Sequence, residues 1–369
     1  MDKKIIAVVL SIMILSFSVI FMFTDAKDYS ENENRYLSKF PKFSFSSLVE
    51  GKYITNLENY FKDQFPLRDT FMGVKTSFDK LTLKTKINGV YLGKDNYLIE
   101  EFNEPVNSDK IVNVLNKFYE NNNYINLNLM IVPTSTEINK DKLPSSVDNG
   151  NQLDMINNIY SKINFNTLDV YNTLKENNKK YQMYYYLDHH WTTYGAYFAY
   201  REYAQKNGIE PLEITDFDIE LVTDKFNGTL YSKSNDYTRK SDSIYLFNRN
   251  NNLEVNYVFS KKITDTLYEK SYLDKKDKYS LFLDNNHPLI IVTNNDIISS
   301  KEIIVIKDSF ANSLIPFLVN HFKKVHIIDP RYYNLSISAY LKENPNIKDG
   351  LILYNANTID SDLGILGVE

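Results

Sequence analysis

The chain has 369 residues, 43% hydrophobic and 14% aromatic, and a formal net charge of −5. That suffices for one large core with a smaller appendage, and an acidic balance without a basic block argues against a nucleic-acid partner. Having no cysteine, the chain excludes disulfides, thiol catalysis and thiolate-held metals.

Ile5 to Phe23 carries no charge, and only Ser11, Ser16 and Ser18 interrupt it. About 18 apolar residues are enough to cross a bilayer as a helix. Lys3 and Lys4 precede the run, which favours a cytoplasmic N-terminus and export of everything after it. No small-x-small cleavage site stands around Thr24–Ala26, so residues 1–25 read as a retained signal anchor, with a cleaved signal as the alternative. Either way the rest of the chain is expected outside the cytoplasm, held at the cell membrane by a single pass.

Residues 26–100 read as a membrane-proximal segment. Thr24–Lys39 is polar and linker-like. Gly51–Lys84 has apolar residues at helical spacing with Pro66 as a break, and Val90–Glu100 reads as a hairpin turning at Gly93–Asn96. From residue 101 to 369 a larger domain is expected. Val106–Asn121 and Leu153–Ile163 read as helices, Ile125–Val132 and Leu168–Val170 as strands, and Thr193–Gln205 as a helix. Residues 216–284 alternate weakly and read as a β-rich insertion or a set of extended loops. Ile303–Ile306, Val325–Ile328 and Leu351–Tyr354 are short apolar runs separated by helical stretches, the pattern of a parallel three-strand unit. The 29 Tyr and 22 Phe suit a carbohydrate-stacking surface, or simply reflect an AT-rich genome.

Two segments carry chemistry. Asp188-His189-His190-Trp191 offers a carboxylate and an imidazole. Lys307-Asp308-Ser309-Phe310 offers a hydroxyl just where a strand gives way to a helix. These are the three groups an acyl-transferring serine enzyme needs, and only folding brings segments so distant together.

The chain resembles the DHHW family of SGNH-hydrolase-like proteins, relatives of the periplasmic alginate O-acetyltransferases. The resemblance is carried by Glu33-Asn34-Arg35, Tyr60–Arg68, Ile131–Thr134 with Leu143-Pro144, Asp188–Trp191, Phe226–Ser232, Tyr279–Asn286, Lys307–Ser309 and Asp329–Tyr333, in that order. It implies an α/β/α sandwich with a central parallel sheet, the Asp-His segment preceding the serine, and O-acylation or deacylation of an exported polysaccharide. Two departures stand out: Lys307 where SGNH esterases carry glycine, and no glycine around Asp284-Asn285-Asn286.

Ser309 is assigned as nucleophile, His190 as its base and Asp188 as the group orienting the imidazole. One intervening residue lets both side chains project to one side of an extended or turning backbone. His189 as base is the alternative, and a helix N-cap is the plain reading of Ser309. The Ser309 N–H is the natural first oxyanion donor. Arg331 is placed as an oxyanion or substrate-binding group, against the plainer reading of an ion pair with Asp329. Asn355, with Asn357 behind it, is placed as a side-chain amide donor. No metal is assigned, because the Asp-His-His cluster has no further clustered ligand, and no cofactor is called for. Trp191 reads equally as a core anchor and as a sugar platform.

These expectations describe an extracytoplasmic O-acyltransferase, with O-acetylation foremost, acting on a cell-surface or secreted polysaccharide through an acyl-serine. An acetylesterase with the same three residues, or a non-catalytic polysaccharide-binding subunit, are the alternatives. Acetyl-CoA being absent outside the cell, a membrane-bound partner that exports the acyl group is expected by analogy with related systems.

Overall fold

The computed structural model describes residues 3–145, 147 and 149–368; the outer ends of the expected anchor and large domain (1, 2 and 369) lie outside that set, as do 146 and 148. Eight strands form the central sheet, numbered here in chain order: β1 (Asn126–Val132), β2 (Asn166–Thr167), β3 (Leu253–Tyr257), β4 (Lys262–Thr264), β5 (Leu289–Asn294), β6 (Glu302–Lys307), β7 (Lys324–Ile328) and β8 (Ile347–Asn355). Their spatial order is β4-β3-β5-β7-β6-β8-β1-β2. From β7 to β2 all neighbours are parallel. The other three strands add on antiparallel.

The parallel strands are apolar on both faces because helices cover both. Ile303, Val305, Val325, Ile327, Leu351 and Leu353 face one layer, which contains a tyrosine-rich helix, Thr193–Lys206. Ile304, Ile306, Ile328, Ile352 and Tyr354 face the other, built from Ser108–Asn121, Gln152–Tyr160 and Ile337–Glu343. The result is the expected α/β/α sandwich. Its carboxyl edge collects the ends of β1, β6, β7 and β8, the place where open α/β sheets present their ligand sites.

Ahead of the sandwich come helix α1 (Lys3–Phe23), α2 (Lys52–Asp63), α3 (Arg68–Leu81) and a three-stranded ribbon, Lys86–Ile87, Val90–Leu92 and Leu98–Glu100. None of the residues of α1 is buried, and the helix is apolar and long enough to be a candidate membrane anchor. The break between α2 and α3 falls at Pro66, as the sequence implies.

Four readings need correction. Residues 216–284 are β-rich, one of the two expected readings, but they are part of the main fold: they donate β3 and β4 to the sheet edge, and Asp218–Phe226 with Asp242–Asn248 forms a separate ribbon. The sheet is therefore mixed, and β5 is a strand that the sequence reading passed over. Leu168–Val170 is not a strand: pairing ends at Thr167, with a last bond from Leu168 N–H to the Leu129 carbonyl, and Val170 then caps a helix. Thr24–Lys39 contains a two-residue ribbon, Tyr29–Ser30 against Arg35–Tyr36. The tyrosines also behave differently from a stacking surface, because Tyr184, Tyr185, Tyr197, Tyr200, Tyr203, Tyr257 and Tyr354 are among the largest fully buried side chains.

Candidate active site

The DHHW segment sits in a narrow loop closed by main-chain bonds, Tyr185 N–H to His190 O at 3.3 Å and Thr192 N–H to Met183 O at 2.9 Å. Asp242 steadies its outward limb by accepting the Tyr186 and Leu187 N–H groups at 2.9 and 2.8 Å. Trp191 is fully buried and donates from Nε1 to the Phe310 carbonyl and the Ser313 hydroxyl at 2.9 and 3.0 Å. It is a core anchor that clamps the loop to the turn after β6.

That clamp brings the distant side chains together. His190 Nε2 lies 2.8 Å from Ser309 Oγ, and His190 Nδ1 lies 2.6 Å from Asp188 Oδ1. With Nδ1–H donating to the carboxylate, Nε2 carries a lone pair toward the serine hydroxyl. The spacing works because Asp188 turns back on itself: its Oδ1 also accepts the His190 N–H at 3.0 Å. Ser309 is half-buried while Asp188 and His190 are buried.

Burial, with the neighbouring His189 second, lowers the His190 pKa to about 4, outweighing the attraction of Asp188. The imidazole is therefore neutral near pH 7. Burial alone would raise the Asp188 carboxyl, but the His189 and His190 charges and the bonds from His190 and Thr229 prevail and hold it well below the usual carboxylate range.

Asp188 has a second set of partners. A helix, Thr229–Ser234, begins against it, with Thr229 N–H and Oγ1 at 2.8 and 3.1 Å from Oδ2. Gly228 permits this approach, since a Cβ there would fall 2.2 Å from Asp188 Oδ2. Tyr279 lies flat on His190, with ring centroids 3.7 Å apart and planes at 11°, and its hydroxyl donates to the Ser309 carbonyl at 3.1 Å. Gly228, Thr229 and Tyr279 stand inside the Phe226–Ser232 and Tyr279–Asn286 blocks, but nothing in their spacing assigns them a contact.

Ser309 is not the helix cap. Asp308 takes that role, its Oδ1 accepting Phe310 N–H at 2.8 Å, which leaves the serine hydroxyl for His190. Asp308 Oδ2 accepts both the main-chain N–H and the side-chain amide of Asn355 at 2.8 and 2.7 Å, tying the Ser309 turn to the end of β8. The Asn355 amide also donates to Thr358, and its oxygen caps Asn357 and Thr358. Both amide hydrogens are thus committed, and Asn355 is a brace and not the free donor expected. The Ser309 N–H has no acceptor among the described residues.

Arg331 follows β7 at the same edge, but Nε and Nη2 are held by Asp329 at 2.8 and 2.5 Å, the plainer of its two readings. Asp329 also pairs with the wholly buried Lys307 at 3.3 Å. His189 points away from Ser309, with Nδ1 2.7 Å from Thr229 Oγ1. The ligand atoms of Asp188, His189 and His190 lie within 4.8 Å of one another. Each is already hydrogen-bonded inside the protein, and the cluster has no fourth member among the described residues.

A cleft of about 390 Å³, lined by Glu100, His189, Thr229, Lys233, Asn357 and Asp360 among others, opens beside this constellation. It reaches Thr229, which holds Asp188, while Ser309 and His190 are not among its lining residues.

The same architecture recurs in a DHHW family protein of Eubacterium siraeum, with TM-score 0.67 and 22% identity over 76% of this chain and 95% of that one. It recurs also in PatB1 of Bacillus cereus, solved with a sulfonyl adduct, with TM-score 0.63 and 17% identity over 76% of this chain and 98% of that one. Among curated proteins, an uncharacterized RNA pseudouridine synthase of Mycoplasma capricolum is 27% identical over 160 residues, and the match spans 42% of this chain and only about half, 49%, of that relative. The family model described as "DHHW protein" matches residues 33–91 and 81–328, taking in the ribbon, the DHHW loop and the Ser309 turn. The chain therefore belongs to the DHHW family.

Proposed function

We propose that this protein is an extracytoplasmic serine O-acyltransferase that acetylates a cell-surface or secreted polysaccharide. The observation that carries the reading is the unbroken hydrogen-bond chain Ser309–His190–Asp188 at the carboxyl edge of the sheet. Ser309 Oγ attacks the acyl carbonyl as its proton passes to His190 Nε2. The donor's leaving group departs with that proton, and the acyl group stays on the serine. A sugar hydroxyl then attacks the acyl-serine, giving its proton to His190, and Ser309 is regenerated as the new ester leaves. Asp188 keeps the imidazole in the required tautomer, and the Ser309 N–H faces the oxyanion. The cleft beside His189 offers carboxylates, an ammonium and amides to sugar hydroxyls, and its volume suits one or two sugar rings.

The sulfonyl adduct on PatB1 supports the reading, since such adducts form on nucleophilic side chains. The Mycoplasma relative supports no RNA-modifying reading, since the likeness is confined to 160 residues and about half of that protein, 49%. With α1 as anchor and Lys3 and Lys4 inside, the donor reaches the site from a membrane-bound acyl-exporting partner.

The test is labelling of the detergent-solubilised full chain with a fluorescent sulfonyl fluoride, paired with p-nitrophenyl acetate turnover in the presence of oligosaccharide. Labelling and turnover should vanish in Ser309→Ala, and acetate should appear on the sugar. Equal labelling and turnover in wild type and variant would overturn the reading, while free acetate without sugar ester would convert it to an esterase.

A further inference from the structure

Helix α3 has two faces of opposite character. One docks on the sandwich: Thr76 donates to the Ser234 carbonyl at 3.2 Å, Lys80 pairs with Asp236 at 3.1 Å, and Gly73 lies close against Tyr237. The other carries Leu67, Phe71, Val74, Phe78 and Leu81, spaced at one helical stripe, and all are exposed, Phe78 by 64% and Leu81 by 80%. On α2, Ile54 and Phe61 are exposed as well, and Phe65 follows in the turn. So many large exposed apolar side chains on one short stretch mark a surface that water does not cover.

The membrane helix indicates what covers it. Phe17 of α1 stacks on Phe65 and tilts against Phe71, and Phe21 meets Tyr60 and Phe61. These contacts fall in the last two turns of α1, within about 9 Å of its outer end at 1.5 Å per residue. An apolar groove of about 580 Å³ runs between the two parts, from Leu10 and Ile14 on one side to Phe61 and Phe65 on the other. A helix lying in the membrane interface sinks its apolar face about 5–10 Å below the headgroups, the same depth. We propose that α2 and α3 are an interfacial platform, embedded in the outer leaflet of the bilayer that α1 spans, with lipid acyl chains filling the groove. The proposal rests on α1 as an anchor and is independent of the acyltransferase reading.

The absence of cysteine makes a direct test available. Single cysteines at Val74, Phe78, Ile14 and Ile298 in the full chain are labelled with an environment-sensitive dye. The protein is reconstituted in phosphatidylcholine–phosphatidylglycerol vesicles with or without doxyl-labelled phosphatidylcholine. Ile298 is fully exposed in the loop before β6, at the sheet edge opposite Ser309. Dyes at Val74 and Phe78 should shift to the blue and be quenched by shallow doxyl groups, the Ile14 dye by deep ones, and the Ile298 dye by neither. Wet, unquenched dyes at Val74 and Phe78 would overturn the proposal, as would an unquenched Ile14 dye. A blue shift there without doxyl quenching would also overturn it, and would point to a second copy of the chain as the cover.

Discussion

The Lys307 ammonium donates to the side-chain carbonyl of Asn286 at 2.8 Å. Lys307 stands where a glycine is expected, and Asn286 ends the segment that lacks the other expected glycine; a wholly buried lysine needs acceptors, and Asn286 and Asp329 supply them. Burial lowers the Lys307 pKa, against the opposing pull of Asp329. Asp329→Asn should therefore destabilise the fold by about 3–5 kcal/mol, because it strands Lys307 and Arg331 together. Lys307→Met leaves Asp329 with Arg331 and should cost clearly less. Thermal unfolding of the two variants checks the order, and an equal loss in both would contradict it.

Gly228→Ala should disturb the Asp188 carboxylate, since the added methyl falls on it. A loss of about 1–3 kcal/mol is expected from overpacking, with lowered esterase turnover. Gly208→Ala serves as the control: its φ of +64° strains the backbone, but nothing lies within 4 Å, so it should lower stability without lowering turnover per folded molecule.

Tyr279→Phe keeps the ring on His190 but removes hydroxyl contacts to the Ser309 carbonyl and Ser313 Oγ, both 3.1 Å. A loss of about 1 kcal/mol is expected, or about fivefold in rate if it falls wholly on the transition state. Tyr279→Ala also opens the imidazole to water and should cost more. Steady-state kinetics at fixed pH separates the two.

The acid limb of kcat/KM should lie near pH 4, where His190 takes up its proton. Because burial depresses this pKa, activity is retained above pH 4 and lost below it; an unperturbed histidine would place the limb near 6.5. His189 contributes to the depression, so His189→Gln should move the limb upward in pH. A pH–rate profile of both proteins checks this, and a limb near 6.5 in the wild type would refute it.

Residues with local signals were legible. Asp188 and His190 share a turn, and Ser309 follows an apolar strand, so spacing makes them candidates, while the family resemblance favours Ser309 as a nucleophile over a helix cap; the broken pair α2 and α3 is marked by Pro66. What escaped depends on distant partners. Asn355 follows a strand as a free donor would, but its partner, Asp308, is brought beside it only by β6–β8 pairing. Strands β3 and β4 fall within the stretch read as β-rich, but their place at the edge of the central sheet is set by antiparallel partners distant in sequence, and β5 escaped although Leu289–Val292 is an apolar run. The contacts of Thr229 and Tyr279 come from segments 41 and 30 residues away.

The helix Thr229–Ser234 touches Asp188 at one end and α3 at the other. Six residues make it a strut about 9 Å long. If α3 sits in the bilayer as proposed, a push on it from lateral pressure or a change in lipid packing would have a direct route along this strut to the carboxylate bonded to His190. Turnover would then respond to the mechanical state of the envelope, with no effector molecule required.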